Sequence, residues 1–264
     1  MKIMVKCTLV LLGLSILVSC GGGNKSNIKE EAKISPEVTS VQEMEQQHQK
    51  EQFLSEDNIQ FDLELYFGGK ERMKGIMIFA TNSSQGLLEL KDGNKIYFIK
   101  DKVYYSPDMN EKRVRFDAYT WSYFFLFPYK LSDEGTIWSE LEKVEMNENW
   151  YNTQKLTFKN GTGDAPDDWY QVYSDTVYNL IQVAAYIVTG NKSVEKAEED
   201  PHAIAYKNYQ YVNGIPIATN WEFYSWTKTE GLTDTLGKAT LSNFKFVDDS
   251  DSLFIPPTHF LSID

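Results

Sequence analysis

Short stretches in which apolar and polar residues alternate recur along most of this 264-residue chain, and that period constrains the fold more than any other feature. Ile59, Phe61, Leu63, Leu65 and Phe67 alternate with Gln60, Asp62, Glu64 and Tyr66, the mark of a strand with one buried face. Gly68-Gly69-Lys70 turns this strand back into 73–80. Strands 86–91 and 95–100 flank Asp92-Gly93-Asn94, a glycine-containing hairpin loop, and 103–106 completes a meander. Further strands are expected at 139–146, 150–159, 169–174, 178–189, 202–212, 217–227 and 238–247. The turn signal Asn213-Gly214-Ile215-Pro216 separates two of them, and the tail 252–260 reads as irregular. So many consecutive antiparallel strands must bury one face by closing, by pairing two sheets, or by curling around helices. The expected class is α+β but mostly β: about eleven antiparallel strands curled into an open half-barrel around one to three helices.

The helix available for that role lies in mid-chain. Trp121-Ser122-Tyr123-Phe124-Phe125-Leu126-Phe127-Pro128-Tyr129 interrupts the strands, with Asp117 as expected N-cap and Pro128 as stop. Its apolar positions go all the way round, so such a helix is buried on every side or covers something greasy. It is too short to span a bilayer, which needs about 20 apolar residues.

The N-terminus reads as a lipoprotein signal. Lys2 and Lys6 form a basic start, 7–18 is a short apolar run, and Leu17-Val18-Ser19-Cys20 resembles a lipobox. Residues 1–19 are then a signal peptide and Cys20 the acylated anchor to a membrane. Residues 20–58 are a polar tether, either disordered or carrying a weak amphipathic helix around 38–54 capped by Ser40. Residues 59–264 form the domain. Gly21 and the lack of an acidic run after Cys20 point to the periplasmic face of the outer membrane. Loss of Lys2 and Lys6 leaves 24 basic against 38 acidic residues, a surface that repels nucleic acid and anionic headgroups.

Chemistry is sparse. Cys7 and Cys20 are the only cysteines, so no thiol remains for a disulfide, a metal or a nucleophile. His48, His202 and His259 lie in unrelated contexts, and no cofactor motif is present. Asp164-Ala165-Pro166-Asp167-Asp168 offers oxygen ligands on a glycine-rich loop but lacks calcium-loop spacing, so a solvated loop is favoured. Glu222, between Trp221 and Phe223, is the best candidate for a carboxyl raised in an apolar pocket, although an outward strand position accounts for it. Three tripeptides, beginning at Asp175, Asp234 and Asp251, match a short O-glycosylation motif and are expected in loops.

Taken in order, the meander, the aromatic helix ending at Phe127-Pro128-Tyr129-Lys130-Leu131, the acidic loop and the stretch from Tyr206 to Tyr224 resemble a Bacteroidetes lipoprotein family of unknown function. That family's fold is similar to the half-barrel of LolA, LolB, LppX and RseB. The resemblance spans roughly 55–248 and implies a sheet that holds acyl chains in its hollow. The expected function is a non-enzymatic envelope protein binding a lipid or lipoprotein acyl chain, lined by Phe61, Leu63, Leu65, Trp121, Phe124, Phe125, Phe127, Trp221 and Phe223, with no metal or cofactor. The alternatives are a structural or protein-interaction module with a closed core, and a hydrolase using a carboxylate pair.

Overall fold

The structure is a computed structural model, and it describes residues 39–190, 192–248 and 252–264. The lipobox and most of the expected tether lie outside the described residues. A single antiparallel sheet holds fourteen strands. β1 (Asn58–Phe67), β2 (Lys70–Ala80), β3 (Gln85–Leu90), β4 (Lys95–Ile99) and β5 (Lys102–Tyr105) form the predicted meander. After a helical interruption come β6 (Thr136–Trp138), β7 (Glu142–Met146), β8 (Asn149–Phe158), β9 (Tyr170–Asp175) and β10 (Ile181–Tyr186). β11 (His202–Val212), β12 (Ile215–Thr227), β13 (Gly231–Val247) and β14 (Leu261–Ile263) complete it.

The strand order is β14-β5-β4-β3-β2-β1-β13-β12-β11-β10-β9-β8-β6, with β7 also on β8. The two wings join through the pairing of β1 with β13, which runs from Asn58↔Val247 to Phe67↔Gly237 with a register shift between Gln60 and Asp62. The outer strands β14 and β6 do not pair, so the sheet stays open as expected.

The count exceeds the expected eleven because β6 and β14 are three-residue strands too short to show a period. β13 begins seven residues before the expected Lys238, because Gly231–Gly237 is a polar ribbon that sheet pairing, not apolar alternation, holds extended. Asp234-Thr235-Leu236 therefore lies in a strand, not a loop. Asn213-Gly214 is a two-residue hairpin turn with both residues at positive φ, as such turns require. Pro216 then sits inside β12, where only β11 pairs with it, so its missing N–H leaves no gap in the ladder.

Among the described residues four α-helices accompany the sheet. α1 (Ser40–Gln47) and α2 (Lys50–Leu54) occupy residues expected in the tether, and both pack on the core through Val41, Met44 and Phe53. The cap of α1 is Thr39, not Ser40: its hydroxyl accepts from the Gln42 N–H while the Gln42 side chain accepts from the Thr39 N–H. α3 (Glu111–Leu126) begins seven residues before the position an Asp117 cap would give, with the Asn110 side chain accepting from the Lys112 N–H. Its first turns, Glu111-Lys112-Arg113, are exposed and charged, which hid them from the apolar pattern. Pro128 tightens the chain into a 3₁₀ turn at Phe127–Tyr129. α4 (Val194–Ala197) is a single turn.

Three hydrophobic clusters result. The largest surrounds α3, and two smaller ones lie under α4 and under the C-terminal tail, where Phe254 packs with Ile78, Leu87 and Tyr97. Gly75 permits the close approach of β2 to β3, since a Cβ there would stand 2.2 Å from the Glu89 carbonyl oxygen.

Candidate functional site

The candidate site is the space enclosed between the inner face of the sheet and α3. β1 contributes Phe61, Leu63 and Leu65 by strict alternation, and β12 contributes Trp221 and Phe223 in the same way. α3 and the turn after it contribute Trp121, Phe124, Phe125 and Phe127. All nine residues expected from sequence fall in one cluster, each at most 5% exposed.

The rings show that the sheet curls around this helix. Phe125 stacks on Phe61 at 4.3 Å and lies 6.2 Å from Phe79 of β2, on one wing. Phe124 meets Tyr186 of β10 at 5.0 Å and Phe127 meets Tyr170 of β9 at 5.1 Å, on the other. Trp121 lies 6.1 Å from Phe223. One helix end touching both wings of a single sheet requires the sheet to bend around it.

Polar groups pin α3 at two points. Asp117, buried within the helix, accepts from Arg72 Nη2 at 2.6 Å and from Trp121 Nε1 at 3.1 Å. At the other end the Tyr206 hydroxyl donates to the Phe124 carbonyl at 2.9 Å, satisfying one of the acceptors that a helix C-terminus leaves open. Burial raises the hydroxyls of Tyr123, Tyr129, Tyr170, Tyr186, Tyr206 and Tyr209 above their ordinary range, so these rings around the helix stay neutral.

The hollow is filled. Between the turn Pro128-Tyr129 and the β11–β12 residues Tyr206, Tyr209, Ile217 and Trp221 a cavity of about 10 Å³ remains, space for about one water. The aromatic segment therefore occupies the hollow in this conformation.

Other residues complete the site without a signal in the strand pattern. Phe53 of α2 is fully buried and stacks on Tyr129 at 3.7 Å with planes 3° apart. His48, in the bend between α1 and α2, is also fully buried. Its Nε2 accepts from the Ile181 N–H at 3.1 Å, and its Nδ1 has no hydrogen-bond partner among the described residues. Its ring lies 6.4 Å from Tyr129 and 5.7 Å from Tyr209, and burial lowers its pKa to about 3. Val41 and Met44, three residues apart, with Phe53 further along an otherwise polar stretch, were the available sign that this segment docks.

The carboxylates stand elsewhere and have partners. Partial burial pulls the Glu222 carboxyl up, but the Lys207 ammonium and the Tyr224 hydroxyl outweigh this and hold it below its ordinary range, opposite to what a general acid needs. In the acidic loop Asp164 pairs with Arg115, and Asp168 accepts from the Thr189 N–H at 2.8 Å and hydroxyl at 2.6 Å. Burial raises Asp168, partly offset by those two donors. Among the described residues no group of three or more His, Cys, Asp or Glu is arranged to hold a metal.

No protein-family model matches this sequence, and no curated protein does. Solved structures do match its fold. A LolA superfamily protein from Nitrosomonas europaea aligns with a TM-score of 0.56 at 11% identity, covering 83% of this chain and 98% of its own. A DUF1329 family protein from Desulfovibrio piger aligns with a TM-score of 0.53 at 13% identity, covering 82% and 97%. The chain is thus similar in fold, over most of its length, to the LolA superfamily half-barrel.

Proposed function

We propose that this is a non-enzymatic, lipid-anchored protein of the bacterial cell envelope whose half-barrel takes up a lipid or a lipoprotein acyl chain. Acylated Cys20 holds it to the membrane, on the periplasmic side of the outer membrane. The observation that carries the ligand reading is the aromatic end of α3, which fills the hollow with neutral apolar rings in contact with both wings. A segment of that chemistry stands where an acyl chain would lie, and uptake exchanges one for the other. Phe61, Leu63, Leu65, Trp221 and Phe223 then line the ligand, while Trp121, Phe124, Phe125 and Phe127 swing aside as the gate. Likeness to the LolA superfamily half-barrel supports the same reading.

A second reading rests on the same filled hollow: the core is permanently closed, and the protein serves as a structural or interaction module. Mass spectrometry of organic extracts from the protein purified from its native host separates the two. Acyl lipid in near-equimolar amount, displaced by competing fatty acid, is the expected result. An extract without lipid, from a body that takes up no added fatty acid, establishes the closed-core reading instead.

A further inference from the structure

A second apolar feature lies outside the hollow. Leu141, Trp150, Val177 and Tyr178 are 51%, 61%, 75% and 66% exposed, and each stands within two residues of the polar bridge between Asn152 and Asn179 or shares a cleft with it. The Asn152 side chain donates to Asn179 at 3.0 Å. Trp150 precedes Asn152 by two residues on β8, so strand alternation puts both on one face. Val177 and Tyr178 directly precede Asn179. Leu141 borders the shallow cleft that also includes Asn152 and Asn179.

The loop carrying Val177 and Tyr178 is built to hold them outward. Asp175 Oδ1 accepts from the Val177 and Tyr178 N–H groups at 3.0 and 2.6 Å, and its Oδ2 accepts from the Leu180 N–H at 3.0 Å. Three backbone donors on one carboxylate fix the loop while two apolar side chains remain in water.

The chain enters the body at this same place. Ser40 Oγ donates to Gln154 Oε1 at 2.6 Å, and Asn179 donates to Glu43 at 3.3 Å. Eighteen residues, 21 through 38, separate Cys20 from Thr39. At full extension they reach at most about 65 Å, so a membrane anchor at Cys20 allows the face where the chain enters, which carries this patch, to rest on the bilayer. Tryptophan and tyrosine, with an apolar body and a polar edge, suit the headgroup boundary.

We propose that Leu141, Trp150, Val177 and Tyr178 form a membrane-contact surface that seats the body on the lipid interface beside its own anchor. Glu43, Glu145 opposite Trp150, and Asp175 outnumber Lys143, opposite Asn152, around the patch, so the lipid it fits is zwitterionic, not anionic. The orientation rests on the proposed anchor at Cys20. Tethering supplies a high effective concentration, so a small patch suffices.

The test holds residues 21–264 on phosphatidylcholine vesicles through an N-terminal hexahistidine tag and nickel-chelating lipid, which makes it independent of acylation. Brominated acyl chains then report tryptophan insertion. Quenching is expected for the wild type and is lost in Trp150→Phe, which identifies the reporter. Leu141→Ser/Val177→Ser, with Trp150 in place, should reduce it several-fold, whereas Ile255→Ser, exposed on the distant tail, should leave it unchanged. Replacing part of the phosphatidylcholine with phosphatidylglycerol should weaken it. Absent quenching in the wild type, or full quenching in the serine variant, overturns the proposal. So does a dimer in solution that the serine variant dissolves, which assigns the patch to a second copy. Lipid extraction from the hollow is a separate measurement, and either result can fail without the other.

Discussion

Two segments cover the inner face of the sheet, and they are held in different ways. α3 is locked from both wings by Phe61, Phe79, Tyr186, Tyr170 and Phe223, and pinned by the Arg72–Asp117 ion pair and the Tyr206 hydroxyl. The α1–α2 strap buries fewer apolar side chains and leans on separable polar attachments. Phe53 inserts beside Tyr129, and Glu45 accepts from the Ser132 N–H and hydroxyl and from Lys50. His48 is buried uncharged with one nitrogen unpaired. The contrast teaches where opening starts. Removing the strap leaves the strand ladder intact, whereas removing α3 empties the core that bends the sheet. Local opening is drawn from segments with few buried contacts, and here that is the strap.

The sharpest way to break the comparison is Phe125→Ala. It leaves a cavity between α3 and strands β1 and β2, and a loss of about 3–5 kcal/mol is expected in urea unfolding. If the loss stays below that of a surface substitution, α3 is not the keystone described here. Arg72→Ala strands the Asp117 carboxylate in the core and is expected to cost about 3 kcal/mol. Asp117→Asn/Arg72→Met, which removes both charges, should recover much of this in the same unfolding measurement.

For the strap, pH supplies the probe. His48 has a folded pKa of about 3, against 6.5 for the unfolded group, so the folded state favours the neutral ring. Its stability is complete above pH 6.5 and declines as pH falls from 6.5 toward 3, with about 2 kcal/mol lost by pH 5. Facing it are the neutral Tyr129 and Tyr209, with the Glu45–Lys50 pair on the strap itself. Hydrogen exchange at pH 5 should accelerate in 40–54 before the strands respond, and His48→Gln should flatten that dependence. Simultaneous exchange throughout would place strap and sheet in one cooperative unit. Smallest is Thr39→Ala, which removes the capping box of α1 and should cost about 1 kcal/mol, seen as faster exchange in its first turn alone.

Much of the fold was legible because period two is a local signal. β1 through β5 and β8 through β12 follow from alternation and from turns such as Asp92-Gly93-Asn94, where Asp92 accepts from the Asn94 N–H at 3.0 Å. The errors are where local signal fails. Asp117 looks like a cap because a carboxylate before an apolar run usually is one, yet its partners Arg72 and Trp121 make it an interior residue. In the strap the helical alternative holds, as two helices broken at Gln49, but the Glu, Gln and Lys that dominate it concealed the docking that Val41, Met44 and Phe53 carry.

The nine inner residues were also readable, since their type and spacing declare a buried face. Their arrangement around α3, and the filling of the hollow, were not. By itself the sequence determined an acidic, mostly antiparallel β protein with one aromatic helix and no thiol in the folded body, because composition and period are properties of neighbours along the chain. The pairing of β1 with β13, the burial of His48 and Phe53, and the plugging of the hollow were decided by tertiary structure. Each depends on groups far apart in sequence meeting in one low-dielectric space, where packing and desolvation, not local propensity, set the outcome.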